Sequence, residues 1–310
     1  MSAISVKSFF WLLFLALLWG PSFLFIKIAV QEFPPLTLVA GRVGLAALLL
    51  YLLLQIQKRR LPGPGPIWKH FAVVGLFAHA LPFFLFSWGE IYIDSAIASI
   101  LNGTTPLFTL LIAHFAIADD RMTINKVVGA LIGFAGLVLL VSPSLRGGIQ
   151  TTALGLLAVT VAAASYGVAI VYAHLRLTGL PRLVAPTSQL IMATLYMVPL
   201  ALIIERPSAL PMPSWSAAGS LLALAVFGTA IAFVVYYRIL ENSGATYLSM
   251  VTYLVPVFGV ILGILVLDEK LEWKAYLGCT FILLGVMAVN GLFNLSNAKL
   301  VLSKLQSNHE

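Results

Sequence analysis

A few ionisable side chains fall inside long apolar runs of this sequence. They are Lys27, Arg42, His79 and Glu90. A charged side chain inside a bilayer costs about 2.5–3.5 kcal/mol or more, so chains seldom keep one there without a use for it. If these runs cross a membrane, the four residues are the first candidates for chemistry.

Arg42 is the candidate for binding an anion. Its planar guanidinium matches the geometry of a carboxylate and can hold it through two parallel hydrogen bonds. The sequence favours a structural role over this one. In that role Arg42 and Lys27 cap helix ends, pair with Glu32 or extend to the membrane interface.

His79 lies ten residues into the third apolar run, about 15 Å from its start at 1.5 Å per residue. This places it near the middle of a bilayer. A histidine there could bind substrate or carry a proton, because the ordinary pKa of imidazole is close to neutral. A buried histidine bonded to a backbone carbonyl or a hydroxyl is the open alternative. His114 and His174 lie near the ends of their runs and are expected to be structural.

Glu90 follows His79 by eleven residues, near the far end of the same run. Both side chains could line one path, although three helical turns separate them. Proton coupling through Glu90 is one interpretation. The sequence favours the other, a carboxylate in water at the rim of the bundle.

Two prolines, Pro106 and Pro256, interrupt the middle of apolar runs. Proline lacks an N–H and frees the carbonyl one turn earlier, on Asn102 and on Thr252. In a membrane such a break is tolerated where polar partners or a cavity satisfy it. The substrate-binding candidates at these breaks are Asn102, Thr105, Thr252 and Tyr253. Alternatively, the two kinks only shape the bundle.

Aromatic side chains could give a cavity an apolar lining on which a substrate stacks. The candidates are Trp19, Phe83, Tyr166 and Tyr236. Many tryptophans and tyrosines of membrane proteins form interfacial belts instead, and Trp88 fits that role.

Composition defines the class of protein. Of the 310 residues, 61% are hydrophobic and 9% are charged, and the mean hydropathy is +1.02. Soluble domains carry about 25% charged residues, so this is an integral membrane protein. The net charge of +7 reflects membrane orientation and not nucleic-acid binding. The single cysteine, Cys279, excludes an internal disulfide and a CxxC zinc site.

Runs of about 20 apolar residues predict ten membrane-spanning helices. The predicted spans are 10–30, 36–56, 70–90, 95–117, 124–142, 153–174, 184–204, 215–238, 246–267 and 273–293. With the N-terminus in the cytoplasm, 12 of the 18 Lys and Arg residues fall in cytoplasmic segments and 4 in outside segments. This bias predicts that both termini, including a tail at 294–310, are cytoplasmic.

The two halves of the chain repeat each other. Gly129 and Gly136 recur 149 residues later as Gly278 and Gly285, and Trp19 recurs as Tyr166. The repeats, 10–142 and 153–293, contain five spans each. Because five is odd, the second repeat is inverted in the membrane, which is typical of transporters that open a central site to alternate sides.

The repeat also predicts packing. The glycine pattern of spans 5 and 10 favours close helix packing at the periphery, or a dimer contact, in a monomer or a homodimer. The acidic pairs Asp119-Asp120 and Asp268-Glu269 precede those two spans and are expected to cap their N-termini.

Several stretches together resemble the EamA family of the drug/metabolite transporter superfamily. They are WGPSFLFIK from Trp19, GRVGLAALLL around Arg42, SAIASILNGTTPLFTLLIAHFAIADD from Ser95, and KVVGALIGFAGLVL from Lys126. The resemblance covers about residues 10–293. It implies ten helices around a central cavity, and transport of small metabolites, often amino acids. Glu90 departs from the pattern, since relatives usually carry an apolar or a basic residue there.

The sequence therefore predicts an all-α membrane protein of two inverted five-helix repeats. The predicted function is secondary transport of small organic metabolites such as amino acids, with export favoured over uptake. Its partners are a small-molecule substrate and the lipid bilayer of a bacterial inner membrane, and proton coupling and facilitated diffusion are both open. No Walker, HExxH or GxSxG sequence is present, so neither a cofactor nor catalysis is expected. A channel or lipid scramblase on the same fold is the alternative.

Overall fold

The computed structural model describes residues 6–117, 123–141 and 151–289. All regular structure in these ranges is helical. The α-helices are α1 (Val6–Trp19), α2 (Pro21–Ala29), α3 (Pro35–Ile56), α4 (Ile67–Gly75), α5 (Leu81–Gly89), α6 (Ser95–Asn102), α7 (Thr105–Ala116), α8 (Ile124–Val141), α9 (Thr151–Arg176), α10 (Val184–Leu200), α11 (Trp215–Ala225), α12 (Ala232–Leu248), α13 (Val251–Leu267) and α14 (Trp273–Val289). Three π-helical turns join or extend them, at Leu76–Ala80, Ala201–Glu205 and Val226–Ile231.

Seven helical segments are long and apolar enough to cross a membrane, and three shorter apolar helices complete ten spans. The predicted all-α architecture is therefore confirmed. Large apolar side chains remain exposed around the bundle, for example Ile203 at 73% and Leu265 at 77%. Exposed apolar surface on this scale fits contact with lipid.

The boundaries differ from the predicted ones in two places. Span 4 is broken at residues 103–104, where Pro106 occupies the first turn of α7. The second half breaks at 249–250 instead, nearly two turns before Pro256, which lies inside α13. Since α12 continues to Leu248, the predicted end of span 8 at 238 and start of span 9 at 246 are wrong.

The two halves pack chiefly against each other. The main helix pairs are α3 with α10, α5 with α9, α6 with α13 and α8 with α14, and each joins one half to the other. A site at the interface of the halves is thus surrounded by helices of both.

The predicted tail at 294–310 and the pair Asp119-Asp120 lie outside the described residues.

Glycines allow α8 and α14 to touch along their backbones. A Cβ on Gly129 would lie 2.8 Å from the carbonyl oxygen of Gly285, and one on Gly278 would lie 2.9 Å from that of Gly136. Gly278 and Gly285 are the repeat equivalents of Gly129 and Gly136, so the two contacts are related by an exchange of the halves. The expected close packing of spans 5 and 10 is therefore present within one chain.

Replacing Gly285 with alanine is expected to destabilise the protein. The new Cβ would lie 2.4 Å from the nitrogen of Gly133, so α8 and α14 must separate, at a cost of about 1–3 kcal/mol. Thermal unfolding of the detergent-purified variant should occur several degrees below wild type. Gly219→Ala on α11 is the matched control, because nothing lies within 4 Å of its added Cβ. Equal melting temperatures for Gly285→Ala and Gly219→Ala contradict the packing argument.

Carboxylates of the second half hold helix N-termini of the first half at one end of the bundle. Glu205 accepts hydrogen bonds from the backbone N–H of Thr37 at 2.6 Å and from its hydroxyl at 2.7 Å, at the start of α3. Glu269 accepts from the N–H of Ser95 at 2.8 Å and from its hydroxyl at 2.7 Å, at the start of α6. A negative charge at a helix N-terminus satisfies free N–H groups and complements the helix dipole.

Glu32 makes the reciprocal contact from the first half to the second. It accepts from the N–H and hydroxyl of Ser214, the N-cap residue of α11. The Ser214 hydroxyl, and then its N–H, hold the pKa of Glu32 below its ordinary value. This contact is complete above the ordinary carboxyl pKa and is lost as the pH falls through the lowered one. We call the end of the bundle formed by the turns at 30–34, 90–94, 206–214 and 268–272 the capped face.

The sequence predicted that Asp268 and Glu269 cap the N-terminus of α14, and this is wrong. Asp268 adopts a left-handed conformation (φ 53°) that ends α13. Aspartate tolerates this conformation better than most residues. The sharp turn carries Glu269 away from α14 and onto the start of α6, a partner 174 positions away in the sequence.

Candidate functional site

Arg42 lies at the centre of the interface between the halves. Its side chain is 5% exposed, and its Nε donates a hydrogen bond to the hydroxyl of Thr229 at 2.9 Å. The guanidinium carbon lies 3.8 Å from the centroid of the Phe83 ring. Among the described residues, no carboxylate lies within ion-pair distance of this guanidinium. A buried guanidinium stacked on an aromatic ring, with N–H donors to spare, is suited to bind an anion.

His79 belongs to the same cluster. It is 1% exposed, and its Nε2 lies 3.3 Å from the amide oxygen of Gln189. Its ring packs edge-on against Phe83 at 5.7 Å and against Phe233 at 5.2 Å between centroids. Its Nδ1 has no hydrogen-bond partner among the described residues, which leaves that atom for a ligand or water.

The two hydrogen bonds of the cluster are related by the sequence repeat. Arg42 and Gln189 are equivalent positions 147 residues apart, and His79 and Thr229 are 150 apart. The hydrogen bond between Arg42 and Thr229 therefore corresponds to the one between Gln189 and His79 when the halves are exchanged. His79 and Thr229 both lie in π-helical turns, which often occur at functional sites. The cluster thus lies on the symmetry axis of the protein.

Aromatic rings surround the polar centre. The Trp19 ring packs against Tyr236 at 5.8 Å, and Tyr236 against Phe233 at 6.2 Å. On the other side Tyr166 stacks on Phe86 at 6.0 Å. The predicted residues Trp19, Arg42, His79, Phe83 and Tyr236 therefore lie in one continuous network. Tyr166 interacts electrostatically with Arg42. Such a wall suits a ligand with an apolar part beside its charged group.

The polar residues near the chain breaks are engaged elsewhere. The hydroxyl of Thr105 donates to the carbonyl of Asn102 at 2.8 Å, which satisfies the carbonyl that Pro106 frees. The hydroxyl of Thr252 donates to a carbonyl of its own turn, and that of Tyr253 donates to Val286 on α14 at 3.2 Å. A substrate-binding role for these four residues stays a prediction.

One structural expectation was wrong. Glu90 does not lie in water at the rim, because its side chain is 0% exposed. Of the structural alternatives for Lys27, pairing with Glu32 is not formed, whereas capping of a helix end is. The Lys27 Nζ donates to the backbone carbonyls of Glu90 and Ile93, at 2.7 Å each, and so holds the C-terminal end of α5. Helix tilt and turn geometry decide both contacts, and neither can be read from the residue types.

Sequence reasoning did not assign Thr229, Gln189 or Phe233 to the site. The repeat carried a signal for the first two, since they are the equivalents of His79 and Arg42. Ser188, next to Gln189, is fully buried and its hydroxyl has no partner among the described residues. Phe233 carries the same signal, because it lies 150 residues after Phe83, the offset that also relates His79 to Thr229.

The site is closed to both ends of the bundle. A cavity of about 660 Å³ opens at the capped face, where Lys27, Glu32 and Glu269 contribute to its lining. Another, of about 490 Å³, opens at the opposite face between Arg59 and Arg182. Neither cavity is lined by Arg42 or His79, which lie between the two. The cluster of Arg42 and His79 is therefore buried away from both of these cavities.

Ten spans in two repeated halves, with a buried polar cluster between them, are typical of membrane transporters. The model of the EamA-like transporter family matches residues 6–142 and 153–291, one match for each half. The chain belongs to this family.

Full-length relatives are also transporters by name. The chain is 28% identical over 283 residues to the "uncharacterized transporter YoaV" of Bacillus subtilis (strain 168), covering 91% of this chain and 96% of that one. It is 29% identical over 267 residues to the "uncharacterized inner membrane transporter YedA" of Escherichia coli (strain K12), covering 84% of each. A solved crystal structure, 23% identical, matches with a TM-score of 0.65 over 92% of this chain and 97% of that one, which supports the fold.

Proposed function

We propose that this protein is an alternating-access carrier of small organic carboxylates with an apolar part, of which amino acids are the leading class. The observation that carries this proposal is the buried guanidinium of Arg42, which has no carboxylate partner among the described residues and lies inside an aromatic wall. Carboxylate recognition by a planar guanidinium explains why an arginine stays at this depth despite its cost.

Alternating access is supported by the packing of the halves. Every main helix pair crosses from one half to the other, and the site lies between the two cavities. Rocking of the halves about this site would open it to each face in turn. We place the capped face outside and the termini in the cytoplasm, because Lys and Arg are concentrated toward the other face. The family resemblance favours export, although a carrier of this kind works in either direction.

The proposal is tested by exchange in proteoliposomes. Vesicles are loaded with a mixture of amino acids and other small carboxylates together with the corresponding amides, and released compounds are identified by mass spectrometry. We expect a few carboxylates with apolar side chains to leave faster than from protein-free vesicles, while their amides stay inside. Equal release of acids and amides contradicts the assignment of Arg42, and no release above protein-free vesicles contradicts the function.

A further inference from the structure

Glu90 is the most deeply buried carboxyl group in the described part of the chain. It lies in the turn after α5, is 0% exposed, and neither of its carboxyl oxygens has a hydrogen-bond partner among the described residues. An isolated carboxylate in such a place costs far more than a neutral carboxyl group. The architecture does not require this acid, and the proposed function does not yet use it.

Glu90 and the Arg42 site share one face of α5. Phe83, which Arg42 covers at 3.8 Å, precedes Glu90 by seven residues. Seven residues are two helical turns, so the two side chains point the same way about 10 Å apart along the helix. Arg42 and Glu90 interact electrostatically across this space. The carboxyl group therefore senses any charge that arrives at the guanidinium.

Charged groups from three other segments also face Glu90. Burial raises its pKa well above the ordinary value, the Lys27 ammonium on α2 opposes this, Glu269 at the capped face raises the pKa further, and Arg42 on α3 lowers it. Asp94, in the same turn, is itself half-buried, and burial raises its pKa.

Two further titratable side chains lie on elements packed against α5. Tyr166 on α9 stacks on Phe86, one turn before Glu90. His79 lies in the π-helical turn that precedes α5.

We infer that Glu90 takes up one proton when a substrate carboxylate binds Arg42, an inference that rests on the proposed function and extends it. A bound carboxylate neutralises Arg42, and so removes one of the two positive charges that favour ionised Glu90. The bound substrate also brings a second negative charge near the buried carboxylate of Glu90. Protonating one carboxyl oxygen of Glu90 removes that repulsion. The proton returns to water when the site opens and Arg42 releases the substrate.

Proton and substrate then bind together and cross together. By linkage, lowering the pH increases substrate affinity by the same factor by which substrate increases proton affinity. For one proton the change is at most about tenfold per pH unit. An inward proton gradient therefore drives uptake, and export requires a substrate gradient that outweighs it.

The test follows protons and substrate in the same vesicles. Proteoliposomes contain the trapped pH dye pyranine, and a radiolabelled mixture of L-amino acids is added outside. With wild type we expect the label to enter and the lumen to acidify, and the apparent affinity for the mixture to weaken as the pH rises. Entry of label without acidification overturns the inference while the proposed function stands. No entry of label counts against the proposed function itself.

Glu90→Gln keeps the shape of a neutral carboxyl group but cannot exchange a proton. This variant is expected to retain exchange of the labelled mixture, to lose lumen acidification, and to show a flat pH dependence of affinity. Glu241→Gln, an exposed carboxylate that pairs with Arg182 at the opposite face, is the matched control and should behave as wild type. Loss of acidification in Asp94→Asn with its retention in Glu90→Gln assigns the proton to Asp94 and overturns the inference.

Infrared difference spectroscopy compares the wild-type protein at neutral pH with and without the amino-acid mixture. We expect the mixture to increase the C=O band of a protonated carboxylic acid, with the increase shifted in D₂O and absent from Glu90→Gln. No increase in the wild-type protein overturns the inference even if the variant fails to fold.

Discussion

Replacing Arg42 with glutamine is expected to remove most carboxylate transport. Glutamine fits the space and can still bond to Thr229, but it cannot supply a charge or the paired donors of a guanidinium. Charge-assisted hydrogen bonds contribute about 1.5–3 kcal/mol each, so losing about 2–3 kcal/mol lowers substrate affinity about 30- to 150-fold. The measurement is the concentration dependence of exchange in proteoliposomes, with variants purified as single species of wild-type size.

Two further variants make this prediction specific. Arg42→Lys keeps the charge without the planar fork, and should fall between wild type and Arg42→Gln. Arg238→Gln is the matched control, because Arg238 also stacks on an aromatic ring, at 4.3 Å from the centroid of Trp11, but lies outside the site. Near-normal affinity in Arg42→Gln, or an equal loss in Arg238→Gln, contradicts the role of Arg42.

Removing the capping carboxylates is expected to open the capped face. The double variant Glu205→Ala, Glu269→Ala loses the bonds that join the second half to the starts of α3 and α6. A loss of about 2 kcal/mol from the closed state raises the population of the open state about 30-fold. The side chains near the capped end of α5 should then meet water far more often.

A cysteine at Ser87 can report this opening. Ser87 is 1% exposed, lies two residues before the end of α5 and differs from cysteine by one atom. In a Cys279→Ser background, a membrane-impermeant thiol reagent should label Ser87→Cys about 30-fold faster from the capped face when both carboxylates are absent. Glu241→Ala should leave the rate unchanged, because its contact with Arg182 lies within one half at the opposite face. An unchanged rate in the double variant contradicts the gating role of these contacts.

The architecture could be predicted because its signals are local or periodic. The length of the apolar runs defines the spans. The spacing between Gly129 and Gly136 recurs between Gly278 and Gly285, which reveals the repeat. Pro106 indicated the break of span 4, because proline lacks the N–H that would continue the helical hydrogen bonds toward its N-terminal side. Pro256 gave the same signal, but there the helix breaks at 249–250, nearly two turns before the proline, so residue type alone did not determine the boundary.

Only part of the site could be predicted from the sequence, for a different reason. Arg42 and His79 stand out because charge is costly in a membrane, whereas their partners Thr229 and Gln189 are common neutral residues. Only the repeat singles those partners out. The burial of Glu90 and the contact of Glu269 with Ser95 depend on how turns bring distant segments together. No local pattern encodes a partner 174 residues away.

In the proposed function, one site between the two halves carries solute by opening to each side in turn. The most direct measurement is trans-stimulation: the rate at which a labelled L-amino-acid mixture enters vesicles, with and without the same unlabelled mixture inside. A carrier of this kind predicts entry that saturates with concentration and is accelerated by internal substrate. Entry that rises linearly and ignores internal substrate indicates a channel. Lipid movement between leaflets without solute exchange indicates a scramblase, and either result contradicts alternating access at this site.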